Sequence, residues 1–400
     1  MKVLVINAGS SSLKYQLINM EDEQVIAKGN CEKIGVDGFI THKTADGRVI
    51  AEQVDFPTHS EAFMKLTEVL TSGEGKVIEN MTDVSAVGHR IVQGAERFTE
   101  SVLVTDSVVD TIEEIADLAP LHNPAHVLAI RACQKVLGKE IPQVVVFDTA
   151  FHQTMPEKAY MFGVPYEYYE KYHIRRYGFH GTSHRYVSAR LAKLMGKEPK
   201  DLKIITCHIG NGSSITAVDG GRSVDTSMGF TPLGGIVMGT RSGSLDPSVV
   251  TFIAEKENLS GKQLSDLLNK QSGYLGISGV TSDDRDMRAA ATAGNKRAQL
   301  ALTMVRYQIK KYIGAYAAAM GGLDAVAFTG GIGENSIDLR KEVCENMEFL
   351  GLKLNTDTNV EYNGKEHDIS ADDARVRVWI VPTNEELTIA RDTMAIVSKR

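Results

Sequence analysis

Four hundred residues are too many for one ordinary hydrophobic core and suit two domains of typical size. With 42% hydrophobic and 24% charged residues the composition is that of a globular protein, and no apolar run approaches the length needed to cross a bilayer as a helix. A net charge of -7 argues against a nucleic-acid surface, which needs a clustered basic face, so any anion must be met locally.

The opening VLVIN reads as a buried strand, GSSS as a tight turn and LKYQLI as a returning strand, together a hairpin. The one lysine and short apolar run before Asn7 lack the long apolar region of a secretory signal. Lys14 lies just past the turn, on the alternate face from Leu13 and Tyr15, where an ammonium could reach a phosphate oxygen; a solvated strand lysine is the plainer alternative. Arg90 follows AVGH at a strand end. Asp148 ends the strand VVVF at its carboxyl edge, where open α/β sheets place their ligand crevice, a helix cap being the alternative. Thr182 or Ser183 is expected to cap a helix that ends before Gly196.

From Lys203 the opening plan recurs, as IITCHIGNGSSITAVDGG gives a strand, a glycine-rich turn and a second strand. Asn7-Ala-Gly9-Ser10-Ser11-Ser12 overlays His208-Ile-Gly210-Asn211-Gly212-Ser213, about half a chain away, which predicts an internal duplication. Arg241 sits between Gly239 and Gly243, whose backbone is free to close on a ligand. Asp246 followed by Pro247 opens one helix, and Ala298 to Met320 forms a long one. After the strand DAVAFT a third glycine turn, Gly330, Gly331 and Gly333, leads through Glu334 and Asn335 to a helix near Ser336. The strand RVRVWIVP precedes a last helix, Glu385 to Ser398, with Thr383 and Glu386 as a capping box. Glu385 falls in its first turn, where a carboxylate suits the helix dipole whatever its function. Alternation of strands and helices predicts α/β layers.

Glycine and small hydroxyl residues in strand turns let backbone N–H groups approach an anion, and three such turns, two of them duplicates, point to phosphate. None is a Walker A loop, and GGIGENS lacks the third glycine of the dinucleotide fingerprint. His180 and His184 in HGTSH have the spacing of a zinc pair, but no Glu follows the first and Gly181 weakens the helix. Cys31, Cys133, Cys207 and Cys344 are scattered without a metal or redox spacing and read as reduced cytosolic thiols.

VLVINAGSSSLKYQL, VGHRIV, APLHNP, VVVFDTAFHQTMP, RRYGFHGTSH, CHIGNGSS, TSMGFTPL, MGTRSGSLDP, FTGGIGENS and VPTNEE, spread over essentially the whole chain, resemble the acetate and propionate kinase family. The resemblance implies a duplicated actin-like (ribonuclease H-like) α/β fold, two lobes with a central active-site cleft. The lobes would comprise residues 1–149 with 384–400, and residues 150–383 with the nucleotide-binding elements. It implies a cytoplasmic homodimer that moves a phosphoryl group between ATP and acetate with Mg²⁺, for which Mn²⁺ can substitute, giving acetyl phosphate and ADP. Propionate as substrate is the near alternative, and a nucleotide switch of the actin or chaperone kind a remote one.

Residue by residue, the resemblance makes Asn7 and Glu385 the magnesium ligands or their water-mediated partners. Ser10, Ser12 and Lys14 become phosphate-side contacts, with His208, Ile209, Gly210, Asn211 and Gly212 as the duplicate phosphate loop. Asp283, Asp284 and Arg285 align with adenosine contacts, as do Gly331, Ile332, Gly333, Glu334 and Asn335. Arg90 and Arg241 correspond to the arginines on the substrate carboxylate, and His180 to a transition-state stabiliser. Val92, Leu121, Phe179 and Pro232 match a small methyl pocket. Asp148 corresponds to a residue labelled a base; since acetate has no proton to give at neutral pH, we expect it to orient an arginine or a metal-bound water. The chain departs from the family pattern at Gln93 and Ala95, where His and Gly are usual, at Asp284, where an aromatic is usual, and at Gly330, where alanine is common.

Overall fold

The computed structural model describes residues 1–138 and 140–399, and the chain divides into two units, Met1–Phe151 with Asn384–Arg400 and His152–Thr383. The first unit starts from the expected hairpin. Strand β1 (Lys2–Gly9) buries VLVI, and its Gly9 pairs with Ser12 at the head of β2 (Ser12–Asn19), leaving Ser10 and Ser11 as a two-residue turn. Strands β3 (Gln24–Glu32), β4 (Phe39–Thr44) and β5 (Val49–Gln53) extend the sheet in antiparallel fashion beyond β2. On the other side of β1, β6 (Ala86–Ile91) pairs parallel, followed by the short β7 (Val102–Leu103) and by β8 (Gln143–Phe147), in the spatial order β5-β4-β3-β2-β1-β6-β8-β7. Strand β8, QVVVF, is buried at all five positions, as a parallel strand covered on both faces must be. The helices His59–Thr71 and Asn123–Leu137 pack on the sheet and on each other, and the closing helix Glu385–Val397 packs on β1, β6 and β8.

The second unit repeats the plan. Strands β9 (Lys203–Ile209), β10 (Ser213–Asp219) and β11 (Arg222–Thr226) form an antiparallel meander, and β12 (Ala325–Thr329) pairs parallel with β9. The two-residue β13 (His367–Asp368) pairs antiparallel with β14 (Arg377–Ile380), which runs parallel to β12. The core order β11-β10-β9-β12-β14 matches β3-β2-β1-β6-β8 strand for strand, three antiparallel strands followed by two parallel ones. The duplication read from two glycine turns thus extends to both sheets. Helix Gly181–Leu194 packs on β9 and β12, and the helix Lys296–Met320 packs on β9 and β10 with a core of Ile309, Ile313, Val326 and Phe328. Each unit therefore takes one of its covering helices from the stretch that follows the other unit's fifth core strand.

Several local expectations need correction. Helix Gly181–Leu194 is preceded by His180, at φ 54° in the left-handed region and making no side-chain cap, so Thr182 and Ser183 lie inside the first turn and cap nothing. The closing helix is capped by Asn384, whose side chain accepts from the Leu387 N–H at 3.0 Å; Thr383 instead donates to Ser183, so no Thr383–Glu386 box forms. The third glycine turn is a short helix, Gly330–Asn335, and Ser336 caps the next one, Ile337–Cys344. The long helix begins at Lys296 rather than Ala298 because Asn295 caps it. Asp246 does cap Pro247–Lys256 as expected.

Candidate active site

In the first unit the parallel pairing of β6 with β8 sets Arg90 beside the end of β8. Its Nε donates to Asp148 Oδ1 at 3.0 Å and its Nη2 to Asp148 Oδ2 at 2.7 Å, a bidentate pair in which Asp148 is buried. Burial alone would lower the Arg90 pKa, but the negative charges of Asp148 and Glu385 outweigh it and the guanidinium is held charged. Both oxygens of Asp148 are therefore engaged by the Arg90 guanidinium. Glu385, the first residue of the closing helix, has its Oε1 buried with no hydrogen-bond partner among the described residues. Burial pushes its pKa up to about 7, with Asp148 and Glu386 adding to the rise and Arg90 opposing it. Asn7 and Lys14 stand opposite each other across β1 and β2 and line a cavity of about 260 Å³ together with Lys28, Asn30, Lys43 and Glu386.

The other predicted residues of this unit are less uniform. Ser10 sits at the exposed tip of the β1–β2 turn, which is braced at Gly9 by His59 Nε2 donating to its carbonyl at 2.8 Å; Ser12 starts β2. Val92 is buried, its N–H donating to His126 Nε2 at 3.3 Å, whereas Leu121 is 57% exposed. Gln93 and Ala95, the departures from the family pattern, are linked. Ala95 takes φ 49°, a region that favours glycine, and the Gln93 Oε1 accepts its N–H at 2.9 Å.

In the second unit the β9–β10 hairpin turns through Gly210, Asn211 and Gly212, with Ser213 Oγ donating to the Gly210 carbonyl at 3.0 Å. The imidazoles of His180 and His208 stack with centroids 4.3 Å apart. Each is gripped at Nδ1 by a serine, His180 by Ser214 and His208 by Ser183, both at 2.8 Å. Arg241 reaches the same place. A methyl group built on Gly212 would lie 3.4 Å from Arg241 Nη1 and 3.7 Å from His180 Nε2, so the cation and the imidazole converge over a bare backbone. Arg241 donates to the Pro232 carbonyl at 3.2 Å and touches the Met238 sulfur, with no carboxylate partner among the described residues, and burial lowers its pKa. Phe179 is buried, its carbonyl accepting from His152 Nε2 at 2.9 Å, and Pro232 is half-buried.

Among the residues that align with adenosine contacts, Asp283 caps helix Asp284–Thr292, accepting from the Arg285 and Asp286 N–H groups, and Arg285 is mostly exposed. Asp284 is buried and accepts from Arg288 Nε at 2.9 Å. Helix Gly330–Asn335 carries Gly331, Ile332, Gly333, Glu334 and Asn335. Gly330 opens it at φ 78°, where an added Cβ would lie 2.8 Å from the Ile209 carbonyl oxygen. Glu334 folds back to accept the Gly330 N–H at 2.9 Å. The far end is held by Arg340, fully buried, which donates to the Gly333 and Glu334 carbonyls at 2.9 and 2.7 Å and to Asn359. Without an acidic partner among the described residues, burial lowers the Arg340 pKa to about 10. Sequence reasoning missed Arg340, for which nothing local signals a role. It also missed His184, although its i,i+4 spacing from His180 was on view as a zinc pattern: both its ring nitrogens are taken by hydroxyls, Thr206 at 2.6 Å and Ser214 at 2.7 Å.

A model of the Acetokinase family matches residues 2–391. The acetate kinase of Halothermothrix orenii is 54% identical over 398 residues, covering 99% of this chain and all of that protein, and the acetate kinase of Thermotoga maritima is 56% identical over 402 residues. Among solved structures, the acetate kinase of Porphyromonas gingivalis superposes with a TM-score of 0.95 at 48% identity over 99% of each chain. A propionate kinase from Francisella tularensis does so at 0.92 and 39%, again over 99% of each. Matched by the family model over residues 2–391 and by relatives more than half identical over nearly its whole length, the chain belongs to the acetokinase family.

Proposed function

We propose that this protein is an acetate kinase, transferring a phosphoryl group reversibly between ATP and acetate. The observation that carries this reading is Arg241, a half-buried guanidinium without a carboxylate partner among the described residues, converging with His180 over the Gly212 backbone. Such a cation is stabilised by an incoming anion. Acetate already carries its nucleophilic oxygen, so catalysis consists of holding two anions in line and offsetting their repulsion. Arg90, kept charged and aimed by Asp148, binds the carboxylate; Arg241 and His180 stabilise charge on the transferring group. Val92, Leu121, Phe179 and Pro232 are the candidate contacts of the methyl. Ser10, Ser12, Lys14 and the His208–Gly212 loop contact phosphate, and the 283–285 and 331–335 segments hold the nucleoside. The functional domains are residues 1–149 with 384–400, and residues 150–383.

The orphaned, buried Glu385 Oε1 and the amide of Asn7 are oxygen donors that fit Mg²⁺, which takes one or two protein oxygens and keeps water and phosphate as its other ligands. Mg²⁺ held there, or Mn²⁺ in its place, would neutralise phosphate charge. Four buried, unpaired cysteines suit a reducing cytoplasm. Helix Pro247–Lys256 buries none of its residues, yet shows Val249 and Phe252 at 43% and 60% exposure, a face suited to a second copy of the chain in a homodimer. Trapping acetyl phosphate with hydroxylamine, from acetate, ATP and Mg²⁺, tests the function. No hydroxamate from acetate refutes it, and faster hydroxamate formation from propionate shifts the substrate.

A further inference from the structure

We infer that Thr206, His184 and Ser214 form a one-way hydrogen-bond relay that holds His180 as the tautomer protonated at Nε2, the nitrogen facing the point shared with Arg241. This deepens the proposed reaction and rests on it for its catalytic meaning. The chain of contacts is continuous: Thr206 Oγ1 to His184 Nδ1 at 2.6 Å, His184 Nε2 to Ser214 Oγ at 2.7 Å, and Ser214 Oγ to His180 Nδ1 at 2.8 Å. Thr206, His184 and Ser214 are wholly buried.

Each hydroxyl has one proton, and a neutral imidazole has one N–H and one acceptor nitrogen, so the relay has two directions. Burial drives the His184 pKa well below its usual value, with His152 and His208 adding to the drop, so this ring carries a single proton. If His184 held it on Nδ1, that N–H would donate to Thr206, whose own hydroxyl proton would face no acceptor, because His184 is the only hydrogen-bond partner of the Thr206 hydroxyl among the described residues. A buried donor left unsatisfied is strongly disfavoured. In the opposite direction every group is satisfied. Thr206 donates to His184 Nδ1, His184 Nε2–H donates to Ser214, and Ser214 donates to His180 Nδ1. His180 then carries its proton on Nε2, 3.7 Å from the point over Gly212 that lies 3.4 Å from Arg241 Nη1. The stacked neighbour is arranged alike: Thr383 donates to Ser183, which leaves the Ser183 hydroxyl to donate to His208 Nδ1. Thr206, His184 and Ser214 are thus positioning residues. They present an N–H, rather than a lone pair, to an anionic phosphoryl group.

The test is side-chain ¹⁵N NMR of the histidine-labelled full chain, with the His180 signals assigned by their loss in His180→Asn. The expected result is an Nε2–H tautomer for His180 and His184 in the unaltered protein. In Thr206→Val, which removes the hydroxyl at nearly constant shape, His180 should become a mixture of tautomers. In that variant kcat should fall about tenfold while KM for ATP stays within about twofold, and Thr206→Ser should restore both. A His180 proton on Nδ1 in the unaltered protein, or a His180 tautomer that Thr206→Val leaves unchanged, overturns the inference. If Thr206→Val does not fold, the spectrum of the unaltered protein decides alone. Failure of the unaltered protein to form acetyl phosphate would instead refute the proposed reaction, leaving the tautomer to the spectrum.

Discussion

Single residues here separate stability from activity. Gly212 needs no special backbone angle, and a Cβ there meets nothing closer than 3.4 Å, so Gly212→Ala should leave the melting temperature nearly unchanged. Its methyl would nonetheless occupy the point on which Arg241 and His180 converge, and kcat for acetyl phosphate formation should drop about a hundredfold or more. A stable variant with near-normal turnover would remove that point from the reaction path. Ala95→Gly should act the other way, raising stability by about 1 kcal/mol in denaturant unfolding, because φ 49° costs alanine more than glycine. Glu385 predicts a pH effect. Its pKa, raised in the fold to about 7 from 4.5, means that its contribution to the stability of the metal-free protein is complete below about 4.5 and lost as pH rises through about 7. Melting temperature of the metal-free protein should therefore fall across that window from this group, and less so in Glu385→Gln. Over the same window kcat/KM for ATP should rise, as the carboxylate becomes available to a cation. A flat activity profile between pH 5 and 8 would disconnect Glu385 from metal binding.

At the level of elements, Arg340 acts as a clamp. The helix Gly330–Asn335 is too short to be stable alone, and its last carbonyls depend on one buried guanidinium. Arg340→Met would take the donor from the Gly333 and Glu334 carbonyls and from the Asn359 Oδ1, at about 1–3 kcal/mol for each buried group. We expect a lowered melting temperature and, in protein that still folds, a raised KM for ATP with kcat much less affected. The elements also show what a sequence can reveal. Strands VLVIN and IITCHI and their glycine turns were legible because burial on both faces writes a continuous apolar run and tight turns restrict residue choice. Caps were misread where a competing partner exists: Thr383 has the right spacing for a capping box, but its hydroxyl is used by Ser183, 200 positions away. Side-chain hydrogen bonds that tie one element to another leave no periodic trace, which also hid Arg340 and the hydroxyl partners of His184. The bidentate hold of Asp148 on Arg90, spanning 58 positions, was likewise expected in kind but not located by spacing.

For the whole molecule, the exposed apolar face of helix Pro247–Lys256 predicts association. Phe252→Asp should shift the sedimentation of the protein from dimer to monomer without lowering its helix content; an unchanged dimer would place the interface elsewhere. The duplicated sheets were visible from two turns about half a chain apart, whereas the assignment of covering helices was not, because it depends on connections rather than on any residue pattern. Those connections bear on how the protein is made. The second unit is one continuous stretch, His152–Thr383, and all of it leaves the ribosome before Asn384 does. The first unit, although synthesised first, must wait for the closing helix to cover β1, β6 and β8. Domains usually complete in the order of synthesis; here the order is reversed. A chain released early would have a finished second unit and a first unit with an open sheet and no Glu385, so translation cut short yields inert protein marked by exposed apolar surface for degradation.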